Sequence, residues 1–77
     1  MSEFPHIEKG TYRHSKNGNL YEVLGVALQT ETSEQLVIYQ PLYDNEYALF
    51  ARSYDMFIEA VMIDGEMKPR FEKVDAQ

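Results

Sequence analysis

Read as apolar and polar positions, the chain breaks into short runs of β-branched and aromatic residues, punctuated by Gly, Pro, Asn and Asp. That is how an all-β domain with short strands reads. The pattern predicts a strand over 10–13, then a turn over 15–19 (SKNGN) in which Asn17 and Gly18 supply the positive φ angles of a hairpin. A long strand follows over 20–28 (LYEVLGVAL). Both of its alternating sets are apolar, Tyr21, Val23 and Ala27 against Leu20, Leu24, Val26 and Leu28, as in a strand that bends between two packed surfaces. Gly25 stands mid-strand, where a kink or bulge allows such a bend.

The polar segment 30–34 (TETSE) separates this strand from a β-branched run over 35–40 (QLVIYQ), which ends at Pro41 because proline has no amide to donate. Residues 42–46 (LYDNE) carry turn chemistry. A strand over 47–52, a single helical turn over 53–57, a strand over 58–63, a turn opened by Asp64 and Gly65, and a closing strand over 69–74 complete the pattern. Five or six short strands with one helical turn near 53–57 point to a small SH3-like barrel, with an OB-like barrel or a β-roll as alternatives. Phe4, Phe50, Phe57 and Phe71, with Met56 and Met62, read as core.

Size and composition narrow this further. Seventy-seven residues allow one domain, expected over 9–74 between a tail at 1–8 and another at 75–77. The absence of cysteine removes disulfides, thiolate metal sites and cysteine nucleophiles together, and fits a reducing cytoplasm. The start, MSEFPHIEKG, has no apolar run, so no secretory leader and no membrane span are expected. Thirteen Asp and Glu against seven Lys and Arg leave a formal charge of −6, which argues against nucleic acid as a partner.

Catalytic signatures are missing: there is no glycine-rich phosphate loop, no nucleophile elbow and no HExxH helix, and no cofactor or metal is expected. His14 and Ser15 are neighbours, but adjacent strand residues point to opposite faces. Glu31 and Glu34 flank Thr32 and Ser33; the plainer reading is a solvated turn closed by hydroxyl-to-amide bonds, the sharper one a general acid/base or hard-metal pair near His14. Arg13, Lys16, Arg52 and Arg70 lie on four separated segments that a small barrel brings together. The arginines then form either an internal ion-pair network with Glu31 and Glu34 or an anion pocket. Internal pairing is favoured by the acidic excess. The six tyrosines are either strand residues with buried rings or the lining of a peptide groove.

The ordered set GxYRH, ETxExLVxYQxLY, MFxExV and PRF, running from about Lys9 to Lys73, resembles a bacterial family catalogued as domain of unknown function 1653. The resemblance implies a small β domain and no particular activity. Its recurrent polar positions correspond to Tyr12, Arg13, His14, Glu31, Thr32, Glu34, Tyr39, Arg52 and Arg70. The chain departs from it at Gln29 and Thr30, where a His-Ser pair is common, and at Ser53, where proline is usual.

Two functional readings follow. The first is a non-catalytic module that binds a protein segment through tyrosines beside a charged face made by Arg13, His14 and Glu31. The alternative is a small-molecule or anion pocket built on Arg13, His14, Arg52 and Arg70, with Glu31 as a base for weak hydrolysis. Exposed strand edges are compatible with a homodimer.

Overall fold

The computed structural model of the protein describes residues 7–74. Strands β1 (Gly10–His14), β2 (Leu20–Gln29), β3 (Glu34–Pro41) and β4 (Phe50–Ser53) are followed by a helical turn α1 (Tyr54–Phe57), then by β5 (Ala60–Ile63), β6 (Glu66–Pro69) and β7 (Phe71–Lys73). Five of the strands form one antiparallel sheet in the order β4-β3-β2-β1-β7, curled into a half-barrel, while β5 and β6 pair only with each other. The fold is therefore mostly β with one short helical turn, as the residue pattern predicts.

Cross-strand partners share a face of the sheet, so the register assigns the core. The rows Tyr12–Tyr21–Pro41, Val23–Tyr39–Phe50, Val26–Val37–Arg52 and His14–Phe71 all lie on the inner face. Six of the seven buried core residues come from these rows: Tyr12, Tyr21, Val23, Val37, Tyr39 and Phe71. The seventh, Phe57 on α1, drops into the half-barrel and stacks on Phe71 with centroids 4.1 Å apart and planes 3° from parallel. Around that pair Tyr12, Tyr21 and Tyr39 make edge-on contacts of 5.3 to 5.8 Å, each contributing about 0.5–1.5 kcal/mol beyond its area burial.

The β2 register slips between Val23 and Gly25, and Gly25 adopts φ 152. That bulge reverses the alternation. Before it Tyr21 and Val23 face inward; after it Val26 and Leu28 take the inner-face register, though both are exposed, as are Leu20 and Leu24, so β2 is not packed on both sides, and Ala27 turns out opposite Leu36. The strict period over 20–28 thus does not hold, because one residue is left unpaired at the bend.

Several boundaries move for local reasons. The strand expected over 47–52 starts only at Phe50, since the Tyr47 amide donates to Asn45 Oδ1 at 2.9 Å rather than to a neighbouring strand. The strand expected over 58–63 starts at Ala60, because Ile58 N–H donates to Tyr54 O and Glu59 N–H to Met56 O, continuing the helical turn. The closing strand expected over 69–74 divides at Arg70: Glu66–Pro69 pairs with β5, and Phe71–Lys73 pairs with β1. In the first turn only Gly18 has positive φ; Asn17 instead accepts the Asn19 amide on Oδ1 at 2.8 Å. Met56 and Met62, expected in the core, are 48% and 63% exposed, the first on the outside of α1 and the second on the separate hairpin. Phe4 lies outside the described residues, as does most of the tail expected at 1–8, of which Ile7 packs against the core.

Candidate functional site

Residues Tyr12, Arg13 and His14 are consecutive on β1 and therefore divide between the two faces of the sheet. Tyr12 points inward, is buried, and donates its hydroxyl to Glu8 O at 2.8 Å. Burial and the Glu8 carboxylate raise its pKa. Arg13 points outward and pairs with Glu72 directly across the strand boundary at 3.1 Å, with both side chains about half exposed. It does not meet Glu31 or Glu34. His14 returns to the inner face, where its ring meets the Phe71 ring edge-on, 4.8 Å between centroids.

Strands β4 and β7 are the two free edges of the sheet, and the curl brings them toward one another across an open seam. Arg52, on β4, crosses that seam. Its guanidinium carbon lies 5.7 Å from the centroid of the Phe71 ring, a cation–π distance, and its Nε donates to Tyr39 OH at 3.3 Å. Among the described residues Arg52 has no carboxylate partner, and no hydrogen bond is made by its two terminal nitrogens.

Arg70 occupies the bend between β6 and β7 and is committed internally. Its Nε donates to Met56 O at 3.0 Å, its Nη2 to Glu59 Oε1 at 3.0 Å, and its backbone amide to Glu59 O at 2.9 Å. An arginine satisfying carbonyls at the end of a helical turn is a known way to fasten it, and here it holds Phe57 in the half-barrel. Internal pairing is thus what Arg13 and Arg70 do, though with Glu72 and Glu59 rather than with Glu31 and Glu34.

His14 is flanked by this set. Its Nδ1 accepts the Lys16 amide at 3.2 Å. Burial first, then the positive charges of Arg52, Arg70 and Lys16, lower its pKa below the ordinary value. Ser15, beside it, donates its hydroxyl to Pro69 O at 2.6 Å, so the His-Ser neighbours do not form a nucleophile–base pair.

Glu31, Thr32 and Glu34 belong to the loop joining β2 to β3, and that loop satisfies itself. Thr30 Oγ1 donates to Glu31 Oε1 at 3.3 Å, Thr32 Oγ1 accepts the Glu34 amide at 3.2 Å, and Ser33 closes the loop onto Gln29 O with φ 62. The turn reading describes these residues. Glu34 also borders a groove of about 220 Å³ lined with Ser33, Gln35, Ser53, Tyr54 and Asp55.

Phe71 is in the core, as the sequence predicts, but it is also the platform under both His14 and Arg52, which its residue type alone does not signal. Tyr39 buries its ring and presents only a hydroxyl to Arg52, and Tyr21, bonded to Tyr43 OH at 3.1 Å, has its own pKa pushed up to about 12 by burial and that contact. Of the six tyrosines, Tyr12, Tyr21 and Tyr39 are thus in the core and line no groove, whereas Tyr43 and Tyr47 are exposed. Among the described residues no group of three or more histidines and carboxylates is placed to hold a metal ion, and no helix is long and apolar enough to cross a membrane.

Comparison with known proteins adds a family. The sequence model described as "Protein of unknown function (DUF1653)" matches residues 10–73. A crystal structure of a DUF1653 protein from Bordetella bronchiseptica superposes with a TM-score of 0.81 at 32% identity, over 92% of this chain and 95% of that one. No curated protein matches the chain.

Proposed function

The chain belongs to the DUF1653 family, whose description carries no activity, and from the seam itself we propose that the domain is a non-catalytic binding module that takes an anionic group beside Arg52. One observation carries this reading. Arg52 is held in place by Tyr39 OH and the Phe71 ring, yet its terminal nitrogens and its charge are left without a counter-ion among the described residues. In a chain with a formal charge of −6, carboxylates are in excess and an unpaired arginine is an exception. His14 and Lys16 add an N–H donor and a second positive charge on the same side.

The chemistry of the cradle favours a small anion. Because Nε is spent on Tyr39, the guanidinium offers only its terminal pair, which matches the two oxygens of a carboxylate or of a sulfate or phosphate group. A unit anion about 4 Å away at near-surface dielectric gains on the order of 4 kcal/mol of Coulomb energy, much of which desolvation and association offset, so the site is a weak one. Tyr12, Tyr21 and Tyr39 are buried while Tyr43 and Tyr47 are exposed, so a protein segment that reaches the seam binds there through the anion it brings rather than through those three rings.

Titration of the protein with acetate and with sulfate, followed by amide NMR, tests the proposal. Saturable shifts centred on His14, Lys16, Arg52 and Phe71 are expected. Arg52→Gln weakens them about tenfold or more, while Arg13→Ala, on the outer face, leaves them unchanged. Linear, unsaturable shifts, or equal affinity in Arg52→Gln, overturn it.

A further inference from the structure

We propose that anion uptake in the seam is coupled to protonation of His14, so that the site takes its ligand together with one proton and binds more tightly in mildly acidic than in alkaline solution. This rests on the binding reading above and adds a regulation to it.

The geometry begins at one ring. Phe71 carries His14 on one contact, 4.8 Å between centroids, and Arg52 on another, 5.7 Å from its guanidinium carbon. The Arg52 charge already acts on the imidazole, first among the cations around it, so an anion engaged by the terminal nitrogens of Arg52 acts on the same ring. In the unliganded site Nδ1 accepts the Lys16 amide, which leaves Nε2 as the protonated nitrogen and the ring neutral. The charged groups that face the ring are all cations: Arg52 from β4, Arg70 from the bend before β7, and Lys16 from the β1–β2 loop. The remaining neighbour, β7, contributes the uncharged Phe71.

That surrounding keeps the resting ring neutral, and burial acts in the same direction. An anion reverses the balance, because it cancels the repulsion of Arg52 and attracts the imidazolium directly. One bond opposes the change: a protonated Nδ1 no longer accepts the Lys16 amide. That bond is long, 3.2 Å, and exposed, and a neutral bond at the surface is weaker than contact with a full charge. Proton uptake wins. By linkage, the factor by which the anion favours the proton is the factor by which the proton favours the anion.

Sulfate is the probe, since its charge is constant across the range. Calorimetric Kd values several-fold lower at about pH 5.5 than at about pH 8 are expected, as is an upward move of about one pH unit in the NMR titration midpoint of His14 in saturating sulfate, a shift that caps the change in Kd at about tenfold. His14→Gln, which keeps a neutral polar side chain and has no titratable group, loses the pH dependence. Saturable binding with the same Kd at both pH values, an unmoved His14 midpoint, or a slope that persists in His14→Gln overturns the coupling and leaves the binding reading intact. No saturable binding of sulfate at either pH overturns both.

Discussion

His14 is half-buried among three cations, and in the absence of ligand this has a consequence for stability. Its folded pKa lies below the ordinary value of about 6.5 that the unfolded chain retains. As pH falls below about 6.5 the unfolded chain takes up a proton that the folded chain does not, so the unfolded state gains and stability falls. Above about 6.5 both states are neutral there and the residue has no pH effect. In urea unfolding, wild type is expected to lose more stability between about pH 7.5 and about pH 5.5 than His14→Gln does; equal losses exclude His14 as the source. The same scale separates the arginines. Arg13 and Glu72, both about half exposed, form a pair of the kind that contributes little. Arg70, with its side chain 22% exposed, joins three groups that position Phe57.

At the scale of the element, β2 decides how the half-barrel closes, through the bulge at Gly25. A Cβ at this position meets no atom within 4 Å, so space is not the constraint. The backbone is: φ 152 belongs to a region that residues with a side chain occupy only at a cost of about 1–3 kcal/mol. Gly25→Ala is expected to lose about that much stability in denaturant unfolding, with the slope m unchanged. A wild-type midpoint in Gly25→Ala removes the bulge as the determinant of the bend. The glycine was visible in the sequence as a place for a bulge, but its effect on alternation was not. A bulge exchanges the faces of every residue beyond it, and whether one forms depends on the partner strand.

For the whole molecule, the two sheets are unequal. The half-barrel shares one aromatic core, whereas β5 and β6 pair only with each other, through a tight turn with Asp64 at φ 52 and Gly65 at φ 82. Met62 and Met67 face each other across that hairpin, each more than 60% exposed. A two-stranded hairpin is marginal by itself; the Arg70 amide closes its base onto Glu59 O, and Ser15 Oγ holds Pro69 O to the β1–β2 turn. Hydrogen exchange is expected to be fast at 60–69 through local opening, and slow at Val23 and Val37, which exchange only with global unfolding. Protection at 60–63 equal to that of Val37 contradicts this.

The chain's residue types and spacing were enough to determine an all-β domain, the first hairpin, the pivot glycine and the helical turn. These follow from short-range physics: β propensity, turn chemistry, and the missing donor of proline. Pairing was not determined, because which carboxylate meets which arginine depends on strand order. Arg13 finds Glu72 and Arg70 finds Glu59, 59 and 11 residues away, while Glu31 and Glu34 remain in their own loop. Only the tertiary structure split Tyr12, Arg13 and His14 across two faces and curled β4 toward β7, so that Arg52 lies over Phe71 with no carboxylate among the described residues to answer it. Sheet curvature decided that, and it is the sum of many strand twists and one bulge, a quantity no single stretch of residues contains.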